Sequence, residues 1–299
     1  MAGLIGVTGA TGIVGGRVAA LLAERGHAQR LVVRDVGRAP RLAGAEVRVA
    51  ADYGAGDEMR RALEGVETLF LAPGREAPDR VRQHTTAVDA AVAAGVRRIV
   101  YLSFLAATPT ATFTLARQHW ATEQHIRAGG VASFTFLRMS LYLDFIPSMV
   151  SPAGMIVGPA GDGRVGALLR SDVAAAAVAV LTGAGAGEGD ASPSHDGRTY
   201  DLTGREAFTL TEAAAEMSRL TGKRVAFRNE TREEAYASRA GYGAPGWEVE
   251  GWVTSYEAIA SGEMALVTDT VRRLTGQEPA TLSEYIAAHP ESLEHVATG

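Results

Sequence analysis

Three glycines near the amino terminus constrain the fold of this chain more than any other feature. Gly9, Gly12 and Gly15 follow the short apolar run at residues 4–8 and precede residues 14–24, whose apolar positions have helical spacing. A strand, a glycine-rich turn and a helix in this order are typical of a dinucleotide-binding unit. Gly9 permits the tight turn, Gly12 lets the backbone approach a pyrophosphate, and Gly15 lets the helix pack closely on the sheet. The pyrophosphate would lie at the helix N-terminus.

Strand-like and helix-like segments alternate through the first half of the chain. Further strands are predicted at residues 31–33, 47–49, 68–71, 98–102 and 133–137, and further helices at residues 57–63, 81–94 and 114–127. This alternation predicts an α/β fold with a Rossmann-type, doubly wound parallel sheet covered on both faces. We expect residues 1–150 to form the nucleotide-binding domain. Residues 151–299 would form a smaller, mainly helical substrate lobe, with segments around 170–204 returning to the first domain.

The second half of the chain carries helix-start signals rather than regular alternation. The spacing of a capping box is present at Thr209 with Glu212, Thr231 with Glu234, and Thr281 with Glu284. Ser171 is expected to cap a helix over residues 172–181. Residues 183–197 are predicted to form a polar, mobile loop, and residues 199–202 a late strand.

Composition narrows the classes of function. The net charge is −5 and no basic stripe is present, so nucleic acid is not an expected partner. Cysteine is absent, which excludes disulfides and thiol chemistry and fits the cytoplasm. No apolar stretch approaches the roughly 20 residues of a membrane span. The seven histidines show no metal-ligand spacing. We expect a cytoplasmic monomer or homodimer that acts on a small molecule and uses no metal.

The end of the second strand bears on the choice between NAD and NADP(H). An acid here typically binds the ribose 2′-hydroxyl of NAD, whereas an arginine suits the 2′-phosphate of NADP(H). Arg34 occupies this position, Arg38 can assist it, and Asp35 is the competing signal. We favour NADP(H); the alternative is that both arginines are solvated surface residues in a chain with a single lysine, Lys223, among 29 basic residues. Other residues expected at the cofactor lie near strand ends: Thr11, Ile13, Val14, Asp52, Leu71, Ala72 and Pro73.

The catalytic pair that often accompanies this turn, Tyr-x-x-x-Lys, cannot form here. The only lysine is Lys223, and Arg219 stands four residues before it. His119 and Glu123 are spaced to share one helix face, so His119 can donate a proton while Glu123 orients it. Alternatively, the pair stabilises the helix or contacts the cofactor.

Two further positions carry candidate polar groups. Ser103 and Phe104, at the end of the fifth strand, are expected to contact the nicotinamide, with a catalytic serine as the less favoured alternative. His84, near the start of a helix, is expected to be a cap or a surface group.

Several longer motifs extend over nearly the whole chain. They are residues 8–12, 52–53, 94–103, 119–123, 134–138, 142–145, 170–174 and 200–204. With these motifs the chain resembles the NmrA-like atypical short-chain dehydrogenases, and among them the type 2 NADPH:quinone oxidoreductases and triphenylmethane reductases. Met139-Ser140 departs from the pattern, because relatives typically carry Asn and a small or aromatic residue there. The identity of the substrate is therefore not determined by the resemblance.

The resemblance implies NADP(H) bound beside a shallow apolar and aromatic pocket. Expected pocket residues are Phe104, Met139, Tyr142 and Phe145, with Trp247 and Trp252 as further candidates, and core packing is the alternative for each aromatic ring. The implied activity is reduction of a quinone, imine or other conjugated acceptor that needs little help from an enzyme acid. Two alternatives remain: a non-catalytic NADP(H)-sensing regulator, and a tailoring reductase for a ketone or imine.

Overall fold

Eleven strands and ten α-helices are present in the part of the chain that this computed structural model describes, residues 3–183 and 195–297. The strands are β1 (Ile5–Thr8), β2 (Gln29–Val33), β3 (Ala45–Val49), β4 (Thr68–Leu71), β5 (Arg98–Phe104), β6 (Ser133–Met139), β7 (Met155–Gly158), β8 (Arg164–Val165), β9 (Arg198–Leu202), β10 (Phe208–Thr209) and β11 (Ala226–Asn229). Most of the loop predicted at residues 183–197 lies outside the described residues.

The helices follow the strands closely in the first half and cluster in the second. They are α1 (Ile13–Glu24), α2 (Gly56–Leu63), α3 (Arg80–Ala93), α4 (Thr114–Ala128), α5 (Arg170–Thr182), α6 (Leu210–Thr221), α7 (Arg232–Arg239), α8 (Gly246–Ala260), α9 (Thr270–Thr275) and α10 (Leu282–Ala288). Short 3₁₀ helices lie at Val36–Arg38, Leu143–Met149, Ala240–Tyr242 and Pro290–Leu293. No helix in the described ranges is both long and apolar enough to cross a membrane.

Seven parallel strands form the central sheet, in the order β3-β2-β1-β4-β5-β6-β9. The chain runs outward from β1 to β3 and then crosses back to β4 on the other side of β1. A crevice therefore opens between the carboxyl ends of β1 and β4, which is where open α/β sheets bind ligands. The predicted Rossmann-type sheet is confirmed.

Both faces of the sheet are buried at its central strands, which explains why β1 and β4 read as continuous apolar runs. In β5, Val100 and Leu102 point into a core beneath α1 and α5, which pack together. Ile99 and Tyr101 point into the opposite core, beneath α2, α3 and α4. This alternation places Tyr101 and the inward faces of α3 and α4 directly behind the crevice.

The carboxyl-terminal lobe is mainly helical, with two small sheets that the sequence did not indicate. β7 pairs with β11 in parallel, and β8 pairs with β10 in antiparallel orientation. The three predicted capping boxes are confirmed at the starts of α6, α7 and α10. The predicted cap at Ser171 is wrong, because α5 begins at Arg170 and its N-cap, Leu169, makes no side-chain hydrogen bond.

Candidate cofactor and substrate site

A cleft of about 400 Å³ lies at the crevice between β1 and β4, and we call it the sheet-edge cleft. Ten residues that the sequence predicts at the cofactor or the substrate line this cleft: Gly9, Thr11, Gly12, Ile13, Val14, Arg34, Asp52, Ala72, Pro73 and Tyr142. The wall is completed by Gly15, Val32, Val33, Ala50, Tyr53, Met59, Gly74, Arg75, Gln83, Leu102 and Arg170. The cleft therefore collects residues from the ends of five neighbouring strands.

The glycine turn has the geometry that a pyrophosphate requires. Gly9 has a φ of 66°, a left-handed conformation, and its carbonyl oxygen accepts a hydrogen bond from the Gly12 amide at 2.9 Å. A Cβ at Gly15 would lie 2.3 Å from that same oxygen, so only glycine fits there. No side chain caps α1, which leaves the amides of Ile13 and Val14 free to face the cleft. The turn therefore fits a bound dinucleotide.

Of the three charged residues that follow β2, Arg34 lies at the cleft, and Asp35 and Arg38 lie outside its wall. The guanidinium-bearing Arg34 lines the cleft. The carboxylate of Asp35 instead accepts a hydrogen bond from the Gly37 amide at 2.8 Å and caps a 3₁₀ turn. Arg38 ends that turn and does not line the cleft. Asp35, the acid that competes with the NADP(H) prediction, is therefore hydrogen-bonded to the backbone.

The loop after β4 is held from the sheet side by two hydroxyl groups. Thr8 accepts a hydrogen bond from the Ala72 amide at 2.9 Å, and Tyr53 donates one to the Ala72 carbonyl at 2.7 Å. Burial raises the pKa of Tyr53 to about 12, so this hydroxyl keeps its proton. Leu71, expected at the cofactor, is fully buried and lies behind the wall.

The same loop is held from behind by two side chains of α3. The Gly74 amide donates to His84 Nε2 at 2.8 Å, and Arg80 Nε donates to the Gly74 carbonyl at 3.2 Å. Both α3 side chains are buried, so the expectation that His84 is a cap or surface group is wrong. No carboxylate among the described residues lies within ion-pairing distance of Arg80, whose other contacts are Gln118 and His119.

Donor and acceptor roles in this network fix the protonation of both histidines. Arginine and backbone amides only donate, so Nε2 of His84 and Nε2 of His119 both accept, the latter from Arg80 at 3.1 Å. Each neutral ring then carries its proton on Nδ1, and that of His119 points to the Tyr101 hydroxyl at 2.8 Å. Burial lowers the pKa of His84 to about 3 and lowers the pKa of His119 well below its usual value. Both rings are therefore neutral near pH 7.

The expected pairing of His119 with Glu123 is wrong. Glu123 is fully buried and accepts two hydrogen bonds from Arg138, at 2.8 and 2.7 Å, and one from Ser103 at 2.6 Å. It therefore ties α4 to β5 and β6 and does not orient the imidazole. His119 itself is 3% exposed, has both ring nitrogens occupied and lies outside the cleft wall. This geometry argues against His119 as a proton donor.

The expected substrate-pocket residues do not line one pocket. Phe104 is buried against Phe113, with ring centroids 5.0 Å apart, and Met139 is buried beside it in the core. Tyr142 lines the sheet-edge cleft, where the Arg170 guanidinium lies 4.2 Å from its ring centroid. Phe145 is 49% exposed and lies on a second cavity.

The second cavity, of about 560 Å³, lies in the carboxyl-terminal lobe, and we call it the lobe cavity. It is lined by Leu141, Phe145, Ile146, Ser148, Met149, Val150, Ser151, Pro152, Met155, Val157, Ser238, Arg239, Tyr242, Trp252, Ser255, Tyr256, Ile259 and His295. Trp252 lines it, whereas Trp247 lines neither this cavity nor the cleft. No three His, Asp or Glu residues of the described ranges are grouped as a metal site requires.

Sequence reasoning missed Arg80, the buried role of His84, and Arg170. A signal for the first two was present, because residues 80, 84, 87, 88 and 91 recur at helical spacing and form the buried face of α3. Arg170, which pairs with Asp144 at 2.9 Å, had no distinguishing signal in an arginine-rich chain.

Fold and cleft together define a dinucleotide-binding α/β protein, and comparison with known proteins gives its family. The model of the NmrA-like family matches residues 1–285. The (4-alkanoyl-5-oxo-2,5-dihydrofuran-3-yl)methyl phosphate reductase of Streptomyces griseus is 37% identical over 296 residues, which cover 97% of this chain and 99% of that relative. The chain belongs to the NmrA-like family, as the sequence motifs indicated.

Two solved structures share the fold over nearly the whole chain. The NADPH-dependent quinone oxidoreductase of Escherichia coli, in complex with NADPH, has a TM-score of 0.83 and 32% identity, covering 95% of this chain and 99% of that one. The triphenylmethane reductase of Citrobacter sp., in complex with NADP(H), has a TM-score of 0.81 and 32% identity, covering 98% and 100%.

Proposed function

We propose that this protein reduces an electron-poor conjugated small molecule, such as a quinone, with NADPH as the hydride source. The observation that carries the proposal is the sheet-edge cleft, which joins a dinucleotide turn and Arg34 to a wall that contains no histidine and no lysine. Within that wall, the Tyr53 hydroxyl already donates to the Ala72 carbonyl, and burial raises the pKa of Tyr142. Acceptors that delocalise the incoming charge suit such a site, because they do not need a protein acid.

The relatives support both the class of enzyme and the cofactor. They are named as reductases or oxidoreductases, and two were solved with NADPH or NADP(H), which confirms the expected oxidoreductase class and cofactor. Their names specify a quinone, a triphenylmethane dye and an alkanoyl-substituted dihydrofuranone carrying a methyl phosphate. All three compounds contain a conjugated, electron-poor system, and we propose that the substrate of this chain contains one as well.

Each part of the cleft has a role in this proposal. The turn from Gly9 to Gly15 and the free amides of α1 hold the pyrophosphate, and Arg34 binds the 2′-phosphate. When bound, NADPH supplies a hydride. The loop at Ala72–Gly74, fixed by hydrogen bonds on both sides, forms a rigid wall. Tyr142 and Arg170 also line the cleft, and the flat acceptor can lie against the Tyr142 ring.

We extend the proposal to the setting of the reaction. A chain without cysteine and with a net charge of −5 is compatible with action in the cytoplasm on a small molecule, as a monomer or homodimer.

The direct test is oxidation of NADPH by a panel of quinones, measured by the loss of nicotinamide absorbance. Turnover is expected with NADPH and to a smaller extent with NADH. Gly15→Val, checked for folding by circular dichroism, is expected to lose activity because its side chain would meet the Gly9 carbonyl. Tight NADPH binding without turnover of any acceptor would instead favour a sensor. Turnover of saturated ketones or imines, but not quinones, would favour a tailoring reductase.

A further inference from the structure

The lobe cavity is large, mainly apolar and not used by the proposed hydride transfer. Its volume of about 560 Å³ lies in the range of sites that bind drug-sized molecules. Aliphatic side chains from the 3₁₀ helix Leu143–Met149 and from β7 form one side, and rings of α8 form the other. At its rim, Phe145 is 49% exposed and Tyr242 is 73% exposed. Exposed aromatic rings around an apolar cavity are typical of a binding site.

Most polar side chains of this cavity are hydrogen-bonded to the protein itself. Arg239 pairs with Glu230 at 3.0 Å and donates to the Val157 carbonyl, also at 3.0 Å. Ser255 donates to the Trp252 carbonyl at 2.7 Å, and His295 Nε2 bonds to a backbone carbonyl at 2.8 Å. No unpaired charge therefore faces the cavity from the described residues. An occupant with an uncharged, apolar surface fits it.

One short segment borders both the lobe cavity and the sheet-edge cleft. Leu141 lines the cavity, and its neighbour Tyr142 lines the cleft. The segment is held in place by Leu168, whose amide donates to the Leu141 carbonyl at 3.0 Å and whose carbonyl accepts from the Leu143 amide at 2.8 Å. A ligand that reaches past this segment would meet Tyr142 in the cleft and Phe145 in the cavity.

We infer that the acceptor carries an apolar tail, and that the lobe cavity binds this tail while the conjugated ring lies in the sheet-edge cleft. The inference rests on the proposed function and narrows its substrate class to conjugated acceptors with an uncharged alkyl or aryl substituent. Burial of each methylene contributes about 0.8 kcal/mol, which corresponds to about a fourfold gain in affinity. Because the tail is remote from the reacting atoms, it lowers KM and leaves kcat nearly constant.

The test uses 1,4-benzoquinones with one alkyl substituent, from methyl to decyl, and NADPH. In the unaltered protein, kcat/KM should rise severalfold with each added methylene and level off when the cavity is full. Ser255→Phe places a ring in the cavity and should reduce the decyl-to-methyl ratio of kcat/KM by at least about tenfold. Trp252→Ala removes a wall and should reduce the same ratio. Ala260→Phe adds the same ring at an exposed position of α8 and should leave the ratio unchanged.

The outcomes separate this inference from the proposed function. Turnover of the methyl quinone with a decyl-to-methyl ratio near one overturns the tail site and leaves the reductase proposal intact. A steep ratio that Ser255→Phe and Trp252→Ala do not change also overturns it, because the tail would then bind elsewhere. Absence of turnover with every quinone overturns the proposed function on which the inference rests.

Discussion

At the scale of single residues, the end of β2 shows how one position can carry two opposing signals. Asp35 follows the strand as an acid would in an NAD site, but its carboxylate accepts the Gly37 amide. Arg34 is left as the charged group of this turn that lines the cleft. We therefore expect Arg34, rather than Arg38, to set the preference for NADP(H), since Arg38 lies outside the cleft wall.

Replacement of Arg34 should remove most of the cofactor preference. A hydrogen bond to a charged group contributes about 1.5–3 kcal/mol, so Arg34→Gln should lower kcat/KM for NADPH by about 10- to 100-fold. The value for NADH should change little. Arg38→Gln is the matched control and should keep the preference. An unchanged NADPH-to-NADH ratio in Arg34→Gln would show that another residue binds the 2′-phosphate.

His119 should prove to be structural. In His119→Gln the amide oxygen can still accept from Arg80, but the hydrogen bond to Tyr101 is lost. We expect the free energy of unfolding to fall by about 1–3 kcal/mol while kcat for a quinone stays within about tenfold. Loss of a general acid would typically lower kcat by about 10²- to 10⁴-fold. Steady-state kinetics with urea unfolding separates the two roles, and a loss in that larger range would restore His119 as the acid.

At the residue scale, the positions that could be predicted are those that depend on the local backbone, and their roles stay predictions. The glycine turn and Arg34 are fixed by their position relative to a strand end, so the sequence alone places them. The pairing of His119 with Glu123 failed because α4 spacing cannot reveal Arg138, which comes from β6 and takes the carboxylate. Which residue pairs with a buried side chain such as Glu123 therefore depends on other strands and helices, which the local sequence does not show.

At the scale of elements, a buried polar network joins α3, α4 and β5 behind the cleft. His84 contributes from α3, His119 from α4 and Tyr101 from β5. The network exists only while both imidazoles are neutral, because Arg80 lies against His119 and a backbone amide donates to His84. Protonation of either ring would place a donor against a donor.

This network should make the protein less stable in mild acid. The pKa of His84 is about 3 in the folded chain and 6.5 in the unfolded chain. Between these values the unfolded chain binds more protons, so the free energy of unfolding falls as the pH is lowered. From neutral pH to pH 5, His84 alone should remove about 2 kcal/mol, and His119 acts in the same direction.

Urea unfolding at a series of pH values measures this effect. His84→Gln should be less stable at pH 7 but should lose less stability between pH 7 and pH 5. His289→Gln, at an exposed ring, should keep the full loss of the unaltered protein. Equal pH dependence in all three proteins would mean that His84 is not the group responsible.

Elements of the sheet were predictable because both faces are buried. A strand such as β4, with Leu69, Phe70 and Leu71 all buried, reads as an apolar run without knowledge of its neighbours. β8 and β10 have two residues each and pair with one another in the lobe. Runs this short carry no periodicity, so only the folded chain reveals them.

At the scale of the whole molecule, one hydrophobic core connects the sheet to the carboxyl-terminal lobe. The same cluster contains Val7 of β1, Val178 of α5 and Ile286 of α10. α5 covers α1, and β9 extends the sheet beside β6. Residues far beyond position 150 therefore complete the nucleotide-binding layer.

A fragment of residues 1–150 should consequently fail to fold cooperatively. It would lack α5, whose buried face covers α1, and β9, whose loss leaves β6 as an unpaired edge. A fragment of residues 1–205 keeps both elements and should regain a cooperative urea transition, less stable than that of the full chain. Far-UV circular dichroism during urea unfolding measures all three proteins. A cooperative transition in the 1–150 fragment would show that β1 to β6 with α1 to α4 form an autonomous domain, and that the shared core adds stability without being required for folding.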